Sequence, residues 1–247
     1  MDRRYFASLL YRLTLAVLAM MLSVRAVYAL EGDVESWCIA GLIGLSAAAL
    51  QVRPMLIPNP GKASTVLSPA AAFFLAGLFL VPAGPLVTAV AFAIALSGLL
   101  NATRPHKVLL QISISVLTFG SCSYFMQLGP KAGDPMVPPP ELVAMEVLLA
   151  GTVLIAQLVL RSVAVRLERG HEAPHWGAFQ PHAIVEALYC LALSVPISMM
   201  ARIHLGLLAV VYVYVGFTWW FLERYRQHLR LLTEEPESVE EQRRWVA

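Results

Sequence analysis

An all-α, polytopic membrane protein of about eight transmembrane helices, with both termini cytoplasmic, is the fold class this sequence predicts. Three observations predict it. The 247 residues are 58% hydrophobic and 14% charged, with a mean hydropathy of +0.68, well outside the balance a water-soluble domain uses. The apolar residues gather into successive runs separated by Pro, Gly and charge. Cations crowd into alternate connections, as they do when every second loop faces the cytoplasm.

The centre of the pattern is residues 64–128, where two short apolar segments meet through Val81-Pro82-Ala83-Gly84-Pro85 and a basic turn, Arg104-Pro105-His106-Lys107, leads into a third. Ahead of it, residues 5–30 form the first run, with Arg3 and Arg4 before it and Glu31, Asp33 and Glu35 after it. Val27-Tyr28-Ala29 would suit signal cleavage, but Arg12 and Arg25 do not belong in an uncharged signal core, so a retained helix is expected. In such a helix Arg12 snorkels inward and Arg25 outward.

The second run, 37–52, carries Ala40, Gly44 and Ala48 at four-residue spacing, a face that lets a neighbouring helix come close. Arg53-Pro54 ends it. Ser68-Pro69 is a helix start, but a helix over 69–81 spans only about 20 Å, short of a hydrocarbon core of about 30 Å. A helix that begins near Ala63 and kinks at Pro69 is expected to make up the length, with a broken element over 55–67 as the alternative.

Residues 86–100 form the fourth run, with small-residue faces at Ala89, Ala93, Ser97 and at Ala91, Ala95. The fifth, 108–128, places Gln111, Ser115, Thr118 and Cys122 on one helical face, a polar seam expected to turn inward. The seam fits interhelical hydrogen bonding, and it supplies Gln111, Ser115 and Thr118 as candidate ligand contacts. After a Pro- and Gly-rich connection, the sixth run, 141–160, continues through Arg161, Arg166 and Arg169 to Gly170, with cations at the negative end of the helix dipole.

Residues 179–200 form the seventh run, with His182 and Glu186 one turn apart, and 203–222 the eighth, whose Tyr212, Tyr214, Trp219 and Trp220 fit a membrane-interface belt. The membrane domain thus covers 1–222. A charged helical tail, 223–247, follows on the cytoplasmic side and offers Arg224, Arg226 and Arg230 to a partner or to the anionic bilayer surface. With the N-terminus inside, fourteen cations from Arg3 to Arg244 lie on the cytoplasmic side and only Lys131 and Arg202 outside.

Ionisable groups inside a bilayer are costly and point to function. Arg25 lies near the outer end of the first helix, Glu146 about one turn inside the outer end of the sixth, and Arg202 and His204 in the outer turn between the last two. An Arg25–Glu146 pair would offset the desolvation of both, leaving Arg202 to attract an anionic ligand or headgroup; separate snorkelling is the plainer alternative. The three cysteines, Cys38, Cys122 and Cys190, have no metal or disulfide spacing and read as small core residues. Two histidines four apart share a face only on a helix, and Pro174 sits between His171 and His175, so neither metal nor cofactor is expected.

The Ser68-Pro69-led hairpin, the Thr103-Arg104-Pro105-His106-Lys107 turn into a polar helix, the Arg-rich end of the sixth helix and the Leu222-Glu223-Arg224-Tyr225-Arg226 extension together resemble a known arrangement. It is the multi-span input region of bacterial HD-GYP and GGDEF cyclic-di-GMP signalling proteins, matched over about residues 35–232. There the last helix enters a catalytic domain. This sequence has neither a His-Asp dyad nor a GGDEF motif after Leu232, so no catalytic residue carries over. The resemblance implies a sensor or adaptor module of the bacterial inner membrane, with the signalling enzyme missing or supplied in trans.

No nucleophile with a base, no paired carboxylates at a plausible site and no phosphate-cradling Gly motif appears, so an enzyme is not expected. A small-solute transport component and a structural subunit of a larger membrane complex are the competing functions. The expected partners are the bilayer, a cytoplasmic or membrane protein at the tail, and further copies of the chain, with no nucleic acid.

Overall fold

A computed structural model describes residues 3–28, 33–57, 65–67, 69–128, 140–169 and 181–246. Among them run eight α-helices: α1 Arg3–Tyr28, α2 Val34–Val52, α3 Ala70–Leu80, α4 Ala83–Leu100, α5 Pro105–Leu128, α6 Pro140–Arg169, α7 Pro181–Ile203 and α8 Leu208–Val246. Six of these, α1, α2, α4, α5, α6 and α7, are long and apolar enough to cross a membrane. The chain is therefore a helical, multi-pass membrane protein. The other two differ in kind: α3 is apolar but has only 11 residues, and α8 dilutes its apolar first half with a charged second half.

The third segment departs from the expected kinked helix. Residues 65–67 are not helical; Thr65–Leu67 (β2) pairs antiparallel with Met55–Ile57 (β1), with Leu56 opposite Val66. β-branched Thr65 and Val66 suit a strand. Pro69 opens α3 through its backbone, its carbonyl accepting from Ala72 N–H at 3.0 Å, and no side chain caps the helix. The expected capping residue, Ser68, lies outside the described residues.

α3 stays in place because it is enclosed. Eight of its 11 residues are buried, including Phe73, Phe74 and Leu75, and it packs against α2, α7 and α5. At Val81-Pro82 the chain reverses directly into α4, whose buried face runs from Ala83 through Val90 and Ile94 to Gly98. α2 crosses α4 closely: a Cβ on Gly44 would stand 3.2 Å from the Ala89 carbonyl oxygen. The expected small face is thus the contact, with Ala40 and Ala48 buried on either side of Gly44. In lipid such packing has to come from close van der Waals fit, because burial from water drives nothing there.

Caps and turns fix the ends. Asp33 accepts the Ser36 N–H at 2.9 Å and so caps α2; that bond holds its carboxyl below the ordinary carboxylate range. α4 closes in a Schellman turn: Thr103 N–H reaches Gly98 O at 2.9 Å and Ala102 N–H reaches Leu99 O at 3.2 Å, with Ala102 at φ 48°. Pro105 then occupies the first position of α5, where its missing N–H costs nothing. α6 runs to Arg169, as its Arg-rich end suggests. α1 lies against α5, α6 and α4, while α8 sits at the edge, touching α7, the 3-10 turn Leu205–Leu207 and β1.

Candidate functional site

Three of the four residues of the predicted polar seam turn inward. Ser115, Thr118 and Cys122 are buried, and the Gln157 side-chain amide of α6 donates to Thr118 Oγ1 at 3.2 Å. Gln111 is exposed instead. The N-terminal turns of α5 stand clear of their neighbours, so residues 105–107, 109 and 111 are all exposed and position on the face does not decide burial there. Gln157, 6% exposed and unmarked by any seam of its own, is the partner that one-helix reasoning cannot supply.

Two further polar links tie helices together. Ser97 Oγ donates to Gln51 Oε1 at 2.6 Å and Asn101 reaches the Gln51 carbonyl at 3.3 Å, joining α4 to α2. Ser46 of α2 shares a hydrogen bond with the Tyr212 hydroxyl of α8. Tyr212 also stacks on Phe73, ring centres 5.7 Å apart. Though 37% exposed, it also reaches α2 and α3, where its hydroxyl finds a partner. Trp220 keeps the exposed position a belt requires.

At the predicted outer end, the candidates take different partners. The Arg25 guanidinium lies 5.4 Å from the Tyr124 ring centre on α5. The side chain of Glu146 lies outside the described residues, and with it the Arg25–Glu146 pair. Arg202, in the last turn of α7, points Nη2 at the Phe79 carbonyl at the end of α3, 3.5 Å away. His204 Nδ1 accepts the Gly206 N–H at 3.0 Å, which shapes the turn into α8.

On α8, Arg226 pairs with Glu223 at 2.5 Å, and Arg224 lies 6.0 Å from the Trp220 ring centre. The backbone of Arg230 continues the same helix, while its side chain lies outside the described residues. Cys122 and Cys190 are buried as expected, but Cys38 is exposed, because it sits in the first turns of α2 before the crossing with α4.

A charge interaction links the consecutive helices α6 and α7. Arg161 of α6 attracts Glu186 of α7, the only acidic residue in that helix. On the other flank of the same α6 turn, the Tyr11 hydroxyl of α1 donates to the Leu160 carbonyl at 3.0 Å. One turn beyond Glu186, Cys190 is buried against the Ala72 backbone of α3, and Tyr189 lies beside Tyr214 and Thr218 of α8. Glu186 is visible in the sequence as a lone acid in an apolar run, but its partner depends on how α6 and α7 face each other. Among the described residues no group of three His, Cys, Asp or Glu is arranged to hold a metal, and His171 and His175 lie outside them.

No protein family, curated protein or solved structure matches this chain.

Proposed function

We propose that the chain is a sensor or adaptor of a bacterial cytoplasmic membrane, with both termini in the cytoplasm, that docks a cytoplasmic partner through α8. The length of α8 carries this reading. Its 39 residues extend about 58 Å at 1.5 Å per residue, nearly twice a hydrocarbon core of about 30 Å. The apolar half ends at Leu222, and Glu223, Arg224 and Arg226 begin the half that leaves the bilayer. Cations at that boundary favour the inner leaflet, whose anionic surface attracts them. A continuous helix from core to water is a rigid means of carrying a shift of Tyr212 against Ser46 and Phe73 to a bound protein.

The test compares full-length protein with a variant lacking residues 226–247, both purified in detergent. Loss of a co-purifying protein on truncation supports docking by α8. Unchanged co-purification overturns it. A small-solute transport component is the second reading, favoured by the short, enclosed α3 and the non-helical β1–β2 segment before it, since broken elements line binding sites in transporters.

A further inference from the structure

We propose that Trp220 and Arg224 of α8 form a binding site for the phosphate of an anionic phospholipid headgroup in the cytoplasmic leaflet. The site rests on the reading that α8 leaves the bilayer after Leu222, and it separates two cations that the sequence alone treats alike. Arg224 and Arg226 both stand at that boundary, yet they meet different partners. Arg226 Nη2 lies 2.5 Å from Glu223 Oε1 and both side chains are partly buried, so this charge is balanced within the helix. Arg224 is exposed, and its guanidinium carbon lies 6.0 Å from the centre of the Trp220 ring, one turn earlier. That contact leaves the Arg224 charge in place, because a ring attracts a cation without neutralising it.

The exposed side of α8 defines what that charge faces. Val213, Phe217, Trp220 and Phe221 are exposed along successive turns, and the Phe217 and Trp220 ring centres stand 5.9 Å apart. Such a stripe suits acyl chains. Arg224 is the first charge the stripe meets on this side, since Glu223 is turned to Arg226 on the partly buried side. The order along α8, apolar stripe and then cation, is the order of a phospholipid, chains and then phosphate. Trp belongs at that level, with its ring in the interface and its N–H available to an oxygen. A guanidinium carries a planar fork of N–H donors that fits two phosphate oxygens at once, whereas an ammonium would attract the same phosphate only as a point charge.

Native mass spectrometry of the full chain, released from detergent micelles after titration with phosphatidylglycerol or phosphatidylcholine, reads lipid retention directly. The wild type should retain phosphatidylglycerol in preference. Arg224→Gln should cut that retention about tenfold, as loss of a hydrogen bond to a charged group does. Arg224→Lys, which keeps the charge without the fork, should recover only part of it, and Trp220→Leu should weaken it. The double variant Glu223→Gln with Arg226→Gln removes the neighbouring pair without leaving a lone carboxylate beside Arg224, and it should retain the lipid as the wild type does. Arg224 and Trp220 are exposed, so their variants should unfold at the wild-type midpoint, which separates lost binding from lost fold. Equal retention of the two lipids by the wild type, unchanged retention in Arg224→Gln, or full recovery in Arg224→Lys would overturn the site. Displacement of the lipid by millimolar inorganic phosphate would overturn it too, by showing a site for the free anion. Docking by α8 is read separately by co-purification: a chain that keeps its partner without a lipid preference overturns this site alone, and one that prefers the lipid without capturing a protein overturns the docking reading alone.

Discussion

Ala102 is the one described residue other than glycine with a positive φ, and it sits where a helix-ending turn needs the left-handed conformation. That conformation costs a residue with a Cβ about 1–2 kcal/mol, whereas Gly adopts it freely but gives up about 0.5–1 kcal/mol of chain entropy on folding. Ala102→Gly should therefore raise stability by about 0.5–1 kcal/mol, read as a higher unfolding midpoint in detergent. Ala102 is exposed, so loss of its methyl group should not open a cavity. At this scale the sequence is a partial guide. Residue type announced that Thr118 and Ser115 would be buried polar groups, yet Gln157, which bonds Thr118, and Gln51, which bonds Ser97, have no pattern of their own. Tyr212 reads as an interface aromatic by type and is exposed, but its contacts to Phe73 and Ser46 on two other helices have no signal in the sequence.

Helices were legible where their signals are local, and partners were not. The spacing of Ala40, Gly44 and Ala48 identified the contact face of α2, and the structure supplies α4 as what it meets. Gly44 and Gly41 give a controlled comparison on that one helix. A Cβ at Gly44 meets backbone, the Ala89 carbonyl at 3.2 Å, whereas at Gly41 nothing lies within 4 Å. Gly44→Leu should force α2 off α4 and cost about 1–3 kcal/mol, while Gly41→Leu should be close to neutral. Unfolding midpoints of the two variants in the same detergent check the contrast; equal losses would mean that the α2–α4 crossing is not as close as described. The element that sequence reasoning misplaced is the approach to α3. Proline tolerance in membrane helices argued for a kinked extension, but the chain wraps α3 in α2, α5 and α7 and pairs β1 with β2 before it. Enclosure of this kind depends on residues far apart in the chain, so no local pattern reports it.

For the whole molecule, α3 decides the orientation of everything after it. If α3 crosses from the cytoplasmic side and α4 returns, the turn at Arg104-Pro105-His106-Lys107 and the end of α6 at Arg161, Arg166 and Arg169 face the cytoplasm, as the positive-inside rule requires. If α3 only dips and does not cross, each of those cations lies outside and the rule is broken at every later loop. At 11 residues α3 is about 16 Å long, so it crosses only with the help of the segments that flank it. Its burial on nearly all sides makes this feasible, because non-helical backbone at membrane depth is tolerated where protein shields it. We therefore expect single cysteines introduced at Gly133 and Gly170, in a Cys38→Ser background to remove the exposed native thiol, to behave oppositely in intact cells. A membrane-impermeant thiol reagent should label position 133 and miss position 170 until the membrane is opened. The reverse result would make α3 a re-entrant element and place the end of α6 and the start of α7 outside.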